Sequence, residues 1–391
     1  MGLRQNEILK NIEGISERIS AIRFYKKNIF ALKRFSCATW TSRQHVIVAI
    51  QAGNMTGFAE SIISVNDPNI SLEDWCKCGA ELIELSVSEA IRENRRHQDQ
   101  WQEQLIEMFE MALLDLGGKI KGVTAIQLLG LSEQNAKPVC GVHVILSDNV
   151  EEVAKSTKWA LENDKASYIK VKLFGKTELD ESIIKTVRSI CPSERTVLIG
   201  DVNCGYRPEK EKWALEWIAQ QLKVLKNAGL DACEDPGFLE IPEWVSLQKK
   251  LPDLALIPDY PMRHSRKSVS QICEGMGKIY NIHPDSAGSV IDAVVLAERI
   301  RQLGAELMIG DDSLVGPSAS IWQQIASALG ARWVEATEKR EESDFYYRCV
   351  RSLATDSTRN PICIHWSSGF GIDLDLIKLQ EEADEVKEVT K

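Results

Sequence analysis

The sequence predicts an α/β protein: an eight-stranded parallel (β/α) barrel of the TIM type, preceded by a smaller α+β domain. Three observations carry this prediction. From Val139 onward, apolar runs of strand length recur with helical stretches between them, their ends spaced 24 to 33 residues apart. Strands alternating with helices at that spacing form a parallel sheet, and eight of them close into a barrel. An open doubly wound sheet would carry a glycine-rich phosphate loop after its first strand, and none is present. At 391 residues the chain is also long enough for a barrel and a companion domain.

The elements follow in order. Residues 16–66 read as a β-meander, with β-rich runs at 19–24, 35–39 and 45–51 and a turn at Gly53-Asn54 before Gly57-Phe58-Ala59-Glu60. From about Ser71 to Gly117 apolar residues fall at helical spacing, first Trp75, Leu82 and Leu85, then Leu105, Phe109 and Leu113. The barrel strands end at Leu146, Lys172, Asp201, Glu234, Asp259, His283, Gly310 and Glu335. Helices are expected at 149–163, 180–189, 209–228, 243–250, 268–276 and 289–303. The division is therefore 1–135 for the first domain and 136–359 for the barrel. A tail at 360–391, with Gly369-Phe370-Gly371 and then 374–386, is expected to return and complete the first domain.

Composition narrows the function. The chain is 44% apolar and 27% charged, as for a soluble globular protein. Its net charge is −10 without a long basic run, which argues against binding a nucleic-acid backbone. No apolar stretch reaches the ~20 residues that span a bilayer. The charged N-terminus lacks the apolar core of a signal peptide. The ten cysteines form no CxxC pair, so free thiols in a reducing cytoplasm are expected rather than zinc or disulfides.

Five consecutive barrel strands end in residues that ligate metals or move protons. Strand two closes with Lys170-Val171-Lys172, whose alternation puts both lysines on one face. Strand three ends Asp201-Val202-Asn203, strand four Glu234-Asp235-Pro236, strand five Pro258-Asp259 and strand six Asn281-Ile282-His283. Any one of these is more often a solvated strand end. Five in succession converge at the C-terminal mouth of a barrel, where barrel chemistry resides. Asp201, Glu234 and Asp259 would repel one another unless a cation neutralised them. An oxygen-only set favours Mg²⁺ or Mn²⁺. Beside such a cation and a second ammonium, one lysine is pushed toward its neutral form and can act as a base.

At this point the chain resembles an enolase-superfamily protein of the mandelate racemase/muconate lactonizing enzyme type, over nearly its whole length. The resemblance lies in Gly57-Phe58-Ala59-Glu60, in Ala112–Lys119 followed by Gln127–Gly130, in Lys170-x-Lys172, Asp201-x-Asn203, Glu234-x-Pro236 and Asp259, and in Gly369-x-Gly371-Ile372-x-Leu374. It implies a modified (β/α)8 barrel with an α+β capping domain, Mg²⁺ (or Mn²⁺) on Asp201, Glu234 and Asp259, and a homo-oligomer. Lys172 would be the general base, and Lys170 would contact the substrate carboxylate and depress the pKa of Lys172. The reaction implied is abstraction of the proton α to a carboxylate through a metal-stabilised enediolate.

The sequence departs from the family pattern opposite Lys172. Where the Asp-Glu-Asp branches carry a second lysine on strand six, this chain has His283, and strand seven ends Gly310-Asp311-Asp312 without a histidine. His283 is expected to serve as the opposite acid/base, oriented by Asp311 or Asp312, since its pKa suits proton transfer. A merely hydrogen-bonding His283 is the bland alternative. A racemase or epimerase is the leading expectation, with an acid-sugar dehydratase, a cycloisomerase or a catalytically degenerate ligand-binding protein as alternatives. The substrate is a small carboxylate-containing molecule, with Asn203, Asp311, Asp312 and Glu335 as candidate contacts. Further candidates are weaker: His143 as a packed core histidine, His264 as a loop residue near the mouth, and Glu338 beside Trp333. The charged segment with Tyr25, Lys26, Lys27, Lys33 and Arg34 offers cations to an anionic substrate, although such a loop is more often simply solvated.

Overall fold

Eight short parallel strands surround a small plug of apolar side chains in the computed structural model, which describes residues 2–207 and 215–391. The strands are Cys140–Gly141 continued by His143–Ile145, Tyr168–Lys172, Val197–Asp201, Ala232–Glu234, Ala255–Ile257, Ile279–Ile282, Glu306–Ile309 and Trp333–Val334. Strands one to five hydrogen-bond side by side, as do six to eight with the start of strand one. The seam between strands five and six is closed by Lys278 N–H to Leu256 O and Asn281 N–H to Pro258 O, both 3.2 Å. The ring is therefore complete. Inside it Val142, Ile199, Ala232, Ile257, Ile279, Met308 and Trp333 form their own buried cluster. Alternate residues such as Ile169, Val171 and Leu198 face the helices and join the main core.

Among the described residues seven helices cover the strands: Val150–Glu162, Thr177–Ile190, Leu215–Asn227, Ile241–Lys250, Ser265–Gln271, Val290–Gln302 and Pro317–Leu329. The third was expected from residue 209, and residues 209–214 of that expectation lie outside those described. The eighth strand leads instead into short helical turns at Arg340–Ser343 and Asp344–Cys349.

The N-terminal domain is an antiparallel sheet of Ile19–Ile29, Arg43–Ala52 and Met55–Val65 against the helix Glu103–Lys121. Ala52 pairs with Met55 across the two-residue turn at Gly53-Asn54. The strand expected at 35–39 is absent: Lys33–Arg34 pairs with Thr39–Trp40, so 35–38 is the tip of a small hairpin. In the tail a short helix, Leu376–Glu382, is followed by Glu385–Thr390, a strand along the edge of Ile19–Ile29. All ten cysteines are free. Among the described residues no helix is long and apolar enough to cross a membrane.

Buried polar contacts join the two domains. Glu60 accepts from the backbone N–H of Val315 and Gly316 and pairs with His45 Nδ1 at 2.8 Å. Glu107 accepts from Asp285 N–H, Gly288 N–H and the Trp322 indole. Asp285 in turn receives Ile62 N–H at 2.9 Å. These bonds fix the loops after strands six and seven against the first sheet, so the domain roofs the barrel mouth.

Candidate active site

Strand register converts sequence spacing into proximity. Lys172 lies beside Asp201, and Asp201 beside Glu234, in one row across three strands. Asp259 sits two residues past Ile257, the partner of Glu234 in the next strand. Backbone alternation then turns Lys170, Lys172, Asp201, Asn203, Glu234, Asp259 and His283 into one cavity of about 680 Å³, which Glu335, Asp311 and Asp312 also line. That volume suits a small-molecule site.

The charged groups form a dense network. Lys170 is 3% exposed, and its Nζ lies 2.8 Å from Glu234 and from Glu335 and 3.2 Å from Asp201. Burial opposes its charge, but these three carboxylates outweigh burial and hold its proton firmly. Lys170 is thus a fixed cation beneath the carboxylates rather than a group that titrates. Lys172 pairs with Asp201 and sits 5.0 Å from the centre of the Phe35 ring, a face that favours a cation. Burial alone would raise Asp201, yet the Lys172 and Lys170 ammonium groups bring it below the usual range. Glu234 goes the other way: burial, with Asp201, Glu335 and Asp259 nearby, pushes it well up. Asp259 binds Arg263 Nη2 at 2.8 Å, and His283 and Arg263 offset its burial and lower it.

Among the described residues no three His, Cys, Asp or Glu side chains stand close enough to hold a metal as they are arranged, because the chain's own cations occupy the facing oxygens. The donor set nevertheless fits one. Asp259 Oδ1, Asn203 Oδ1 and Glu335 Oε1 are buried without a hydrogen-bond partner. In the cavity the carboxylates Asp201, Glu234, Asp259 and Glu335 also outnumber Lys170, Lys172 and Arg263. Hard oxygen donors in excess suit Mg²⁺ or Mn²⁺ once Lys172 and Arg263 yield their oxygens.

His283 is buried and turned into this cavity. Its Nδ1 lies 2.9 Å from the Pro284 carbonyl, which can only accept, so Nδ1 carries a hydrogen and Nε2 is the nitrogen left for proton exchange. Asp312 stands 3.6 Å from the same nitrogen. Asp311 does not orient the ring; it binds Lys339 Nζ at 2.7 Å and Leu314 N–H at 2.9 Å.

Other candidates are redistributed. His264 pairs with Glu103 of the first domain, away from the cavity. His143 is not a packed core residue: on the outer face of strand one, it meets Ser156 Oγ at 2.8 Å and the Trp159 ring, and borders the cavity. Trp333 fills the barrel interior, while Glu338 lines the cavity. Of the charged N-terminal segment only Lys33 reaches the site; Lys26 and Lys27 pair with the tail strand and the turn before it.

Several neighbours were not among the candidate site residues. Arg263 reaches back four residues to Asp259, and Asp235 accepts the backbone N–H groups of Asp259 and Tyr260. Phe35 and Trp40 reach the site from the small hairpin. Asn281, which donates to Glu234 at 3.1 Å, was legible: it shares a strand face with His283.

No family model matches this chain, and no curated protein matches its sequence. Solved structures do match its fold. A dipeptide epimerase from Cytophaga hutchinsonii, solved with Mg and the dipeptide D-Ala-L-Val, superposes with a TM-score of 0.74 at 17% identity, over 95% of this chain and 99% of that one. A muconate lactonizing enzyme from Pseudomonas fluorescens, complexed with muconolactone, gives 0.74 at 17% identity, over 94% and 100%. An L-talarate/galactarate dehydratase from Salmonella typhimurium gives 0.74 at 14% identity, over 96% and 94%. The chain thus shares the fold of these enzymes over nearly its whole length.

Proposed function

We propose that this protein is a Mg²⁺-dependent enzyme that removes the proton α to a substrate carboxylate, with racemisation or epimerisation as its outcome. One observation carries the reading: Lys172 and His283 face a single cavity whose floor is the carboxylate row Asp201, Glu234 and Asp259. Similarity in fold to enzymes solved with Mg supports the cofactor. A divalent cation on these three carboxylates would bind the substrate carboxylate and stabilise the charge that develops when the adjacent carbon loses its proton.

The residues divide the remaining work. Lys172, freed from Asp201, takes the proton on one side. His283 Nε2, with Nδ1 committed to Pro284, exchanges it on the other. Lys170 stays charged and holds Glu234 and Glu335 in place. Phe35, Ala38 and Trp40 from the roof keep water from the reacting carbon. Dehydration of an acid sugar is the second reading, because the same imidazole can protonate a departing β-hydroxyl.

The test is proton NMR in D₂O with Mg²⁺ and a panel of N-acylamino acids, dipeptides and sugar acids. The expected result is deuterium at the α-carbon of recovered substrate without loss of water. Lys172→Ala should slow exchange from one enantiomer by about 10²–10⁴-fold, and His283→Asn should do so for the other. Exchange that persists in both variants, or an absence of Mg²⁺-dependent exchange across the panel, refutes the reading.

A further inference from the structure

A second charged cluster lines the cavity where the roof meets the barrel. Lys33 stands on the hairpin arm Lys33–Arg34, Arg43 begins the strand Arg43–Ala52, and Lys339 follows strand eight. These three cations converge on two carboxylates. Lys33 Nζ lies 3.3 Å from Glu342 and 3.0 Å from Ser313 Oγ, while Arg43 also binds Glu342 and donates to Ser313 O at 2.6 Å. Lys339 binds Asp311 at 2.7 Å and the Thr337 carbonyl at 2.7 Å. Lys33 and Arg43 therefore share one carboxylate, and the cluster holds one more cation than anions.

The surplus is costly where it lies. Arg43 is fully buried and Lys33 is 5% exposed. Burial, reinforced by the Arg43 charge, brings Lys33 down to about 8. A buried ammonium with half a counter-ion gains from any anion that reaches it. Lys33 and Lys339 both border the cavity, so an anion inside it has access to them. The catalytic carboxylates border the same cavity and carry the opposite imbalance.

We infer that the substrate is dianionic: one carboxylate goes to the Asp201, Glu234 and Asp259 end, and a second anionic group goes to Lys33 and Lys339. This rests on the proposed function for the first carboxylate and adds the class of the rest of the molecule. The second group is a carboxylate or a phosphate, since both offer oxygens to two ammonium groups.

Calorimetric titration of the Mg²⁺-loaded protein tests it without turnover. The probes are straight-chain α,ω-dicarboxylates of four to eight carbons, monocarboxylates of equal length, and ω-phosphonocarboxylates. At its best length a dianion should bind about tenfold or more tightly than the matching monocarboxylate. The preferred dianion series identifies the group. Lys33→Met should bring the ratio near one, and Lys33→Arg should restore it; Lys339→Met gives an independent loss if the first variant folds poorly. Equal affinities in the wild type at every length overturn the inference while leaving Mg²⁺-dependent monocarboxylate binding, and so the proposed function, intact. Monocarboxylate binding indifferent to Mg²⁺ counts against the proposed function, while a Lys33-dependent dianion advantage would still stand. Absence of binding by every probe overturns both.

Discussion

Replacing Lys170 by methionine tests whether this lysine is the structural counter-charge of the site. The substitution keeps roughly the volume and removes the ammonium, so packing loss is small. Electrostatic loss is not. The ammonium stands 2.8 Å from two buried carboxylates and 3.2 Å from a third. Leaving buried charges without their partner costs about 3–5 kcal/mol. Proton uptake by Glu234, already pushed up by its surroundings, recovers part of this. At about 2–4 °C per kcal/mol for domains of 150–250 residues, and less for longer chains, the midpoint in EDTA should fall by roughly 5–10 °C. Saturating Mg²⁺ should narrow the gap, because a cation held on these carboxylates would neutralise the same oxygens. Thermal melts of both proteins, with EDTA and with Mg²⁺, read this directly. An unchanged midpoint in EDTA, or a deficit equal in both buffers, would refute the role of Lys170.

Two further predictions concern the junction and the roof. Glu107 is fully buried and pushed up to about 7 chiefly by burial, against an ordinary value of 4.5. Its folded-state value is raised, so its contribution to stability is greatest below the unfolded value and is lost as pH rises from about 4.5 to about 7. The loss is about 3 kcal/mol. Denaturant titrations across that window should show the decline, and Glu107→Gln should remove about one proton from its slope; an unchanged slope contradicts the assignment. Gly57→Ala should cost about 3 kcal/mol or more, because a Cβ there would lie 2.1 Å from Ala112 O and 2.7 Å from Leu116 Cβ. A denaturation midpoint within error of wild type would show that the sheet and helix can separate freely.

Much of the barrel was legible because its signal is local. Strand ends at Lys172, Asp201 and Glu234 coincide with the predicted ones, and those at Asp259 and His283 differ by one or two residues, the usual fraying of a boundary. Parallel neighbours need no further information to bring those positions together. Residues 35–39 misled for the opposite reason: a β-rich run became a hairpin tip because its place depends on Lys33 and Trp40 pairing across it. The partners of the candidate site groups were also hidden. Arg263 lies in a loop, and only the fold brings it back to Asp259. Asp311 and Asp312 are adjacent in sequence, yet Lys339, from beyond strand eight, engages the first and leaves the second to approach His283. Long-range ion pairing of this kind has no periodicity to read.

The most direct test of the account is the position of a manganese ion in crystals soaked with Mn²⁺. An anomalous peak among Asp201, Glu234 and Asp259, with oxygens at about 2.0–2.3 Å and with Lys172 and Arg263 displaced from their carboxylates, is the predicted result. Carboxylates still paired with Lys172 and Arg263 at saturating Mn²⁺, and no peak between them, would contradict it.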